Sequence, residues 1–148
     1  MIVALLHKPV FPPMPPEYMV DNYMTNQGYR RRILANSMVG KSLEQAFGKK
    51  FNDIYWDNAN PDHTSTSLAA DLQHVKKILV EKKPMVVLCF CASAIFAMRY
   101  YKPIQAETPD LYNLPPLEYE YCPLPYTRQI TQFQLNEYAQ KIIDLYMI

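Results

Sequence analysis

Residues 85–91 read Met-Val-Val-Leu-Cys-Phe-Cys, a continuous apolar run directly behind Pro84. A run of this length, free of polar alternation, predicts a strand buried on both faces. Ala92 and Ser93 open a helix behind it. The preceding residues, 65–82, carry Leu68, Leu72, Val75, Ile78 and Leu79 at helical spacing, with candidate caps over 64–67. Lys76, Lys77, Lys82 and Lys83 decorate the other face and the carboxyl end, where the helix dipole favours positive charge. A helix, a buried strand and a second helix in succession are the repeating unit of an α/β domain. Buried parallel strands place their ligand crevice at their carboxyl ends, so the loops after such strands are where a site is expected.

The rest of the chain extends this pattern. Residues 2–6, Ile-Val-Ala-Leu-Leu, form a short apolar strand that ends at His7-Lys8-Pro9. Four prolines between Phe11 and Pro16 exclude regular structure there. Ser37 is a helix cap, with Met38, Leu43, Ala46 and Phe47 as the inward stripe and Gly48 as the stop. Residues 51–56 are an aromatic, strand-like segment, followed by the loop signal Asn58-Ala59-Asn60-Pro61-Asp62. Residues 101–120 hold four more prolines and little periodicity. From Gln129 a final helix turns Ile130, Phe133, Tyr138, Ile142 and Leu145 inward. With 148 residues and no internal repeat, the expected fold is one α/β domain over residues 1–148. It is a three-layer α/β/α arrangement around a small, largely parallel sheet of three to five strands.

Composition excludes several function classes. A net charge of +1 gives no overall field to recruit nucleic acid or anionic membrane, so such binding needs a local patch. Thirteen prolines against three glycines disfavour glycine loops that cradle phosphate. Gly40-Lys41-Ser42 lacks the earlier glycine of a phosphate loop, since Ala35 stands there. The three cysteines are an odd number and sit in apolar or proline-rich surroundings, which suits inert thiols in a reducing compartment. The amino terminus lacks the pattern of a signal peptide. The longest apolar window, 85–98, is shorter than the ~20 residues of a membrane span. A cytoplasmic protein with no membrane partner and no cofactor is expected.

Several residues invite chemistry. Asp57, Asp62 and His63 could be metal ligands, yet a polar Asn-Pro turn explains them without one. Cys122 in a proline loop has no neighbouring histidine to activate it. Arg30, Arg31, Arg32, Lys41, Lys49 and Lys50 could contact phosphates, with Phe51, Tyr55 and Trp56 stacking on bases. The plainer reading is a solvated basic turn beside core aromatics.

Taken in order, these segments resemble the uracil-DNA glycosylase superfamily. The corresponding pieces are Leu6-His7-Lys8-Pro9 and the helical region 37–48. Trp56-Asp57-Asn58-Ala59-Asn60-Pro61 follows, then the helix from Asp71 to Pro84 and the strand and turn over 85–94. The last is the loop Cys122-Pro123-Leu124-Pro125-Tyr126-Thr127-Arg128. The resemblance spans most of the chain through short motifs. It implies a DNA partner and an extruded base. Asn58 would hydrogen-bond that base, Phe11 would stack on it, and His7 with Lys8 would assist the chemistry. Arg128, with Tyr126 and Thr127, would contact the DNA backbone at the entry to the last helix.

The departures are equally specific. Family members carry an Asp or Asn beside the first-loop proline to position water, where this chain has His7 and Lys8. They carry a histidine in the last loop, where Cys122 or Leu124 stands here. The alternative reading is therefore a catalytically inactive module binding nucleic acid, nucleotide or protein on the same scaffold. A small α/β enzyme of another kind, such as a nucleoside-processing transferase, is the third.

Overall fold

The computed structural model describes residues 2–6, 37–61, 69–104, 118–121 and 130–146. Four strands, β1 (Ile2–Leu6), β2 (Ile54–Asn58), β3 (Val86–Cys89) and β4 (Glu118–Tyr121), form one sheet in the order β2-β1-β3-β4. Every pairing is parallel: Ile2 lies opposite both Ile54 and Val86, and Val86 lies opposite Glu118. Among the described residues the helices are α1 (Met38–Phe47), α2 (Leu72–Lys82), α3 (Ala92–Ile104) and α4 (Gln132–Tyr146), with a 3-10 turn at Gly48–Asp53.

Sheet order explains where the helices lie. The step from β1 to β2 runs one way across the sheet, and the steps from β2 to β3 and from β3 to β4 run the other way. Right-handed crossovers then require α1 on one face and α2 and α3 on the opposite face. The two buried clusters follow this rule. Ile2, Ala4, Ile54, Trp56, Val86 and Leu88 face α1 and α4, where Leu43, Phe47, Leu135, Ala139 and Ile142 meet them. Val3, Leu5, Val87 and Cys89 point the other way, onto Val75, Ile78 and Leu79 of α2 and Ala97, Met98 and Tyr101 of α3. Because strand side chains alternate, β1 and β3 must be apolar at every position to serve both layers. That is why they read as unbroken runs. The three-layer α/β architecture expected from sequence is the one observed.

Element ends carry their own chemistry. Ser37 caps α1, its hydroxyl accepting from the Gly40 amide at 2.9 Å. Gly40, Lys41 and Ser42 thus belong to a helix and not to a phosphate loop. Gly48 ends α1 at φ 58°, a conformation that favours glycine. Lys83 closes α2 in the left-handed region and Pro84 follows, as expected for a helix stop.

Several boundaries differ from the sequence expectation. The helix read over 65–82 begins only at Leu72; Ala69 and Ala70 are not helical, and its cap is Asp71, whose Oδ1 accepts from the His74 amide at 3.1 Å. The strand read at 51–56 is displaced to Ile54–Asn58, because Phe51 ends up in the 3-10 turn. Residues 85–91 shorten to Val86–Cys89. On α1, Met38 is 87% exposed and leaves the stripe to Leu43 and Phe47. On α4, Ile142 is buried as expected, but Phe133 and Leu145 are exposed and Leu135 and Ala139 are buried in their place. The inward stripe of α4 is thus a narrow one, spaced i, i+4, i+7.

Cys89 lies at the carboxyl end of β3, fully buried, and burial pushes its thiol up to about 12, with the charge of Cys91 adding to the effect. The unfolded chain would lose this proton near 9, so above that pH the native state binds more protons than the unfolded one. Stability from this residue is therefore lost as pH rises from about 9 towards about 12. At pH 8 native Cys89 is expected to resist iodoacetamide and to react only after unfolding, as peptide mass mapping would record. Rapid native labelling at Cys89 would contradict its buried, protonated state.

Candidate functional site

The chain reverses its direction of travel across the sheet between β1 and β3, which places the ligand-binding crevice of such a fold outside the carboxyl ends of these strands. Leu6, Asn58 and Cys89 mark that edge: Leu6 is in register with Asn58, and Leu5 with Cys89. The Phe90 amide donates to the Leu5 carbonyl at 3.1 Å, so β3 stays tied to β1 one residue beyond its end. Cys91 and Ser93 then sit at the start of α3, with Sγ and Oγ 3.2 Å apart.

The end of β2 carries the polar chemistry. Asp57 and Asn58 are the buried polar residues among those described, each 4% exposed. Among the described residues, three donors reach Asp57. The Asn58 amide reaches Oδ1 at 2.8 Å, His74 Nε2 reaches the same Oδ1 at 3.1 Å, and the Tyr55 hydroxyl reaches Oδ2 at 3.3 Å. A carboxyl group surrounded by donors is held as the carboxylate, which accepts only. Nε2 of His74 must then carry the hydrogen in this pair. Lys82 lies over the Tyr55 ring at 4.7 Å from its centroid and adds positive charge to the same network.

Chain connectivity holds this arrangement in place. The Asp71 amide donates to the Ala59 carbonyl at 2.9 Å, and Asn60 Nδ2 donates to the Ala69 carbonyl at 3.1 Å. These bonds fasten the start of α2 beside the end of β2. The Tyr101 hydroxyl donates to the Leu72 carbonyl and ties α3 to the same turn. His74, in the first turn of α2, is thereby delivered to Asp57 across seventeen residues of sequence.

Asn58 differs from its neighbour. Strand alternation puts it on the face of Trp56, opposite Asp57, and its side-chain Oδ1 is buried without a hydrogen-bond partner. An unmet buried acceptor costs roughly 1–3 kcal/mol, so it marks a position where a donor from outside would be welcome.

Asn58 is thus the one residue of the sequence-derived site that falls among the described residues, and it lies at the sheet edge where a site is expected. His7, Lys8, Phe11, Tyr126, Thr127 and Arg128 fall outside the described residues, as do Arg30, Arg31, Arg32, Asp62, His63 and Cys122. Phe51 and Trp56 are not a stacking surface: both are 2% exposed or less, with ring centroids 5.2 Å apart in the core. Among the described residues no group of three or more His, Cys, Asp or Glu side chains could hold a metal ion. None of their helices is long and apolar enough to cross a membrane.

The candidate residue that the sequence reading missed is His74, which meets Asp57 at 3.1 Å. Its signal was the Asp71-Leu72-Gln73-His74 tetrad, an acidic cap three residues before a helical histidine. Periodicity shows such a histidine only as a polar position. In comparisons against protein-family models, curated proteins and solved structures, the chain matched none of them.

Proposed function

We propose that the chain is a divergent DNA base glycosylase-like protein, of the uracil-DNA glycosylase type, which binds DNA and accommodates an extruded base at the carboxyl edge of its sheet. The observation that carries this reading is Asn58: a buried amide whose oxygen lacks a donor, at the end of β2, beside the crevice of a parallel sheet. The pairing edge of an extruded base offers N–H groups that could meet such an oxygen. The element order supports the same reading. A strand ending in Asn, a helix, a proline, an apolar strand and a turn into a helix follow one another as the resemblance implies. On this reading Phe11 stacks on the base, His7 and Lys8 assist the reaction, and Arg128, Tyr126 and Thr127 contact the DNA backbone.

The test uses duplexes carrying one modified base each, across a broad panel, scored for strand nicking after alkali. Excision of at least one base is expected, with Asn58→Ala retaining DNA affinity and losing at least tenfold in excision rate. DNA affinity should also fall with added salt, as phosphate contacts require. Absence of both cleavage and low-salt DNA binding would end the proposal. Salt-dependent binding without cleavage would favour the inactive nucleic-acid-binding module, which the altered first and last loops also favour.

A further inference from the structure

Three places offer chemistry beyond Asn58: the Cys91–Ser93 turn, the exposed aromatic pair Phe96 and Tyr100 on α3, and the Asp57–His74 pair. The first is a thiol at a helix start, and nothing in the fold indicates a ligand for it. The second is an apolar face with no indication of what covers it. The third has a built geometry.

We propose that His74 is a proton-transfer residue at the carboxyl edge of the sheet and that Asp57 is its positioning residue; the reaction it serves rests on the glycosylase reading above. Asp57 has a side chain 5% exposed, whereas that of His74 is 22% exposed. The buried carboxylate accepts Nε2–H at 3.1 Å and fixes the imidazole in the tautomer whose lone pair sits on Nδ1. Nδ1 makes no hydrogen bond among the described residues, and the ring is partly exposed. A carboxylate behind an imidazole is the arrangement that orients a general base and stabilises the imidazolium it becomes.

The position suits the task. The carboxylate oxygen that holds His74 also accepts the Asn58 backbone amide, so one atom sets both residues. Asn58 borders the edge from the α1/α4 face and His74 from the α2/α3 face. Helical side chains lean towards the amino terminus of their helix, and the start of α2 is the end fastened beside β2.

The step balances without a cofactor. His74 Nδ1 accepts a proton from water while the water oxygen bonds to the sugar carbon C1′. The C1′–N bond breaks and its electron pair leaves with the base. The imidazolium then returns the proton to a nitrogen of that base. Among the described residues, the charged and titratable groups around the ring are Asp57 and Tyr55 on β2, Asp71 at the helix cap, Tyr101 on α3 through the Leu72 carbonyl, and Lys82 through Tyr55.

The experiment compares the full chain with His74→Gln and Asp57→Asn on the base found to be excised, in single turnover from pH 5 to 9. His74→Gln keeps a donor for Asp57 and loses the basic nitrogen. It is expected to lower excision about 10²-fold or more at unchanged DNA affinity. In Asp57→Asn excision should fall and the nitrogen-15 preference for hydrogen on Nε2 should weaken, because no carboxylate then fixes the tautomer. Nitrogen-15 spectra of the wild-type ring should show hydrogen on Nε2. Wild-type excision rate and pH profile in His74→Gln would overturn the inference while leaving the glycosylase reading standing. No excision by the wild-type chain would overturn the inference, and no low-salt DNA binding besides would overturn the glycosylase reading with it. Unchanged far-ultraviolet circular dichroism of His74→Gln separates loss of chemistry from loss of fold.

Discussion

Replacing Trp56 with alanine is expected to destabilise the domain by about 4 kcal/mol, within the usual range for deleting a fully buried large aromatic. Trp56 is completely buried on β2. Its ring lies 5.2 Å from that of Phe51 and 6.0 Å from that of Phe90. Deleting it leaves a cavity between the 3-10 turn, the sheet and the α1/α4 layer, and no single neighbour can fill it. Native domains hold only about 5–15 kcal/mol in total, so the loss would be a large share. At a urea dependence of about 2 kcal/mol per molar, the unfolding midpoint should fall by about 2 M. Circular dichroism is the right probe, since Trp56 is the sole tryptophan and its removal ends the intrinsic indole signal. Trp56→Phe should recover part of the loss. A midpoint within about 0.5 M of wild type would mean that Trp56 is not the packing centre of that layer.

Asp57→Ala is expected to cost about 2–3 kcal/mol, and Asp57→Asn distinctly less. The alanine variant takes the acceptor from the Asn58 amide, from His74 Nε2 and from the Tyr55 hydroxyl. His74 and Tyr55 are only half-buried and can turn to water. The Asn58 amide is buried with its residue, and an unmet buried donor alone costs roughly 1–3 kcal/mol. Asparagine keeps one carbonyl oxygen in place and so keeps that bond. Urea unfolding of the two variants side by side measures the difference. Equal stability of alanine variant and wild type would show that the carboxylate contributes nothing net to the fold.

How much of this molecule could be read from its sequence differs from element to element. β1 and β3 were legible because strands buried on both faces leave no room for polar alternation. β4 was not: Glu118-Tyr119-Glu120-Tyr121 alternates polar and aromatic residues, as an edge strand beside a single neighbour can, and it lies in a proline-rich stretch. The cap at Ser37 and the stop at Gly48 were legible because both act within one helical turn. The start of α2 was misplaced because several Ser and Thr residues compete as caps, and Asp71 wins through its tie to Ala59 in another element. Phe133 and Leu145 show the limit of a helical stripe, since the side of α4 that faces inward depends on where α1 and the sheet stand.

The candidate site divides in the same way. Asn58 was legible as a polar residue closing a strand. The Asp57–His74 pair was not, because its members lie seventeen residues apart on elements of different type, and no local pattern couples them. The α/β class, the buried strands and the edge where a site should lie follow from local periodicity and chain length. Which polar residues meet at that edge follows from the packing of distant elements. Hydrogen bonds between distant residues exist only once the crossover from β2 through α2 has closed, and burial then gives one carboxylate oxygen the power to orient an amide and an imidazole together.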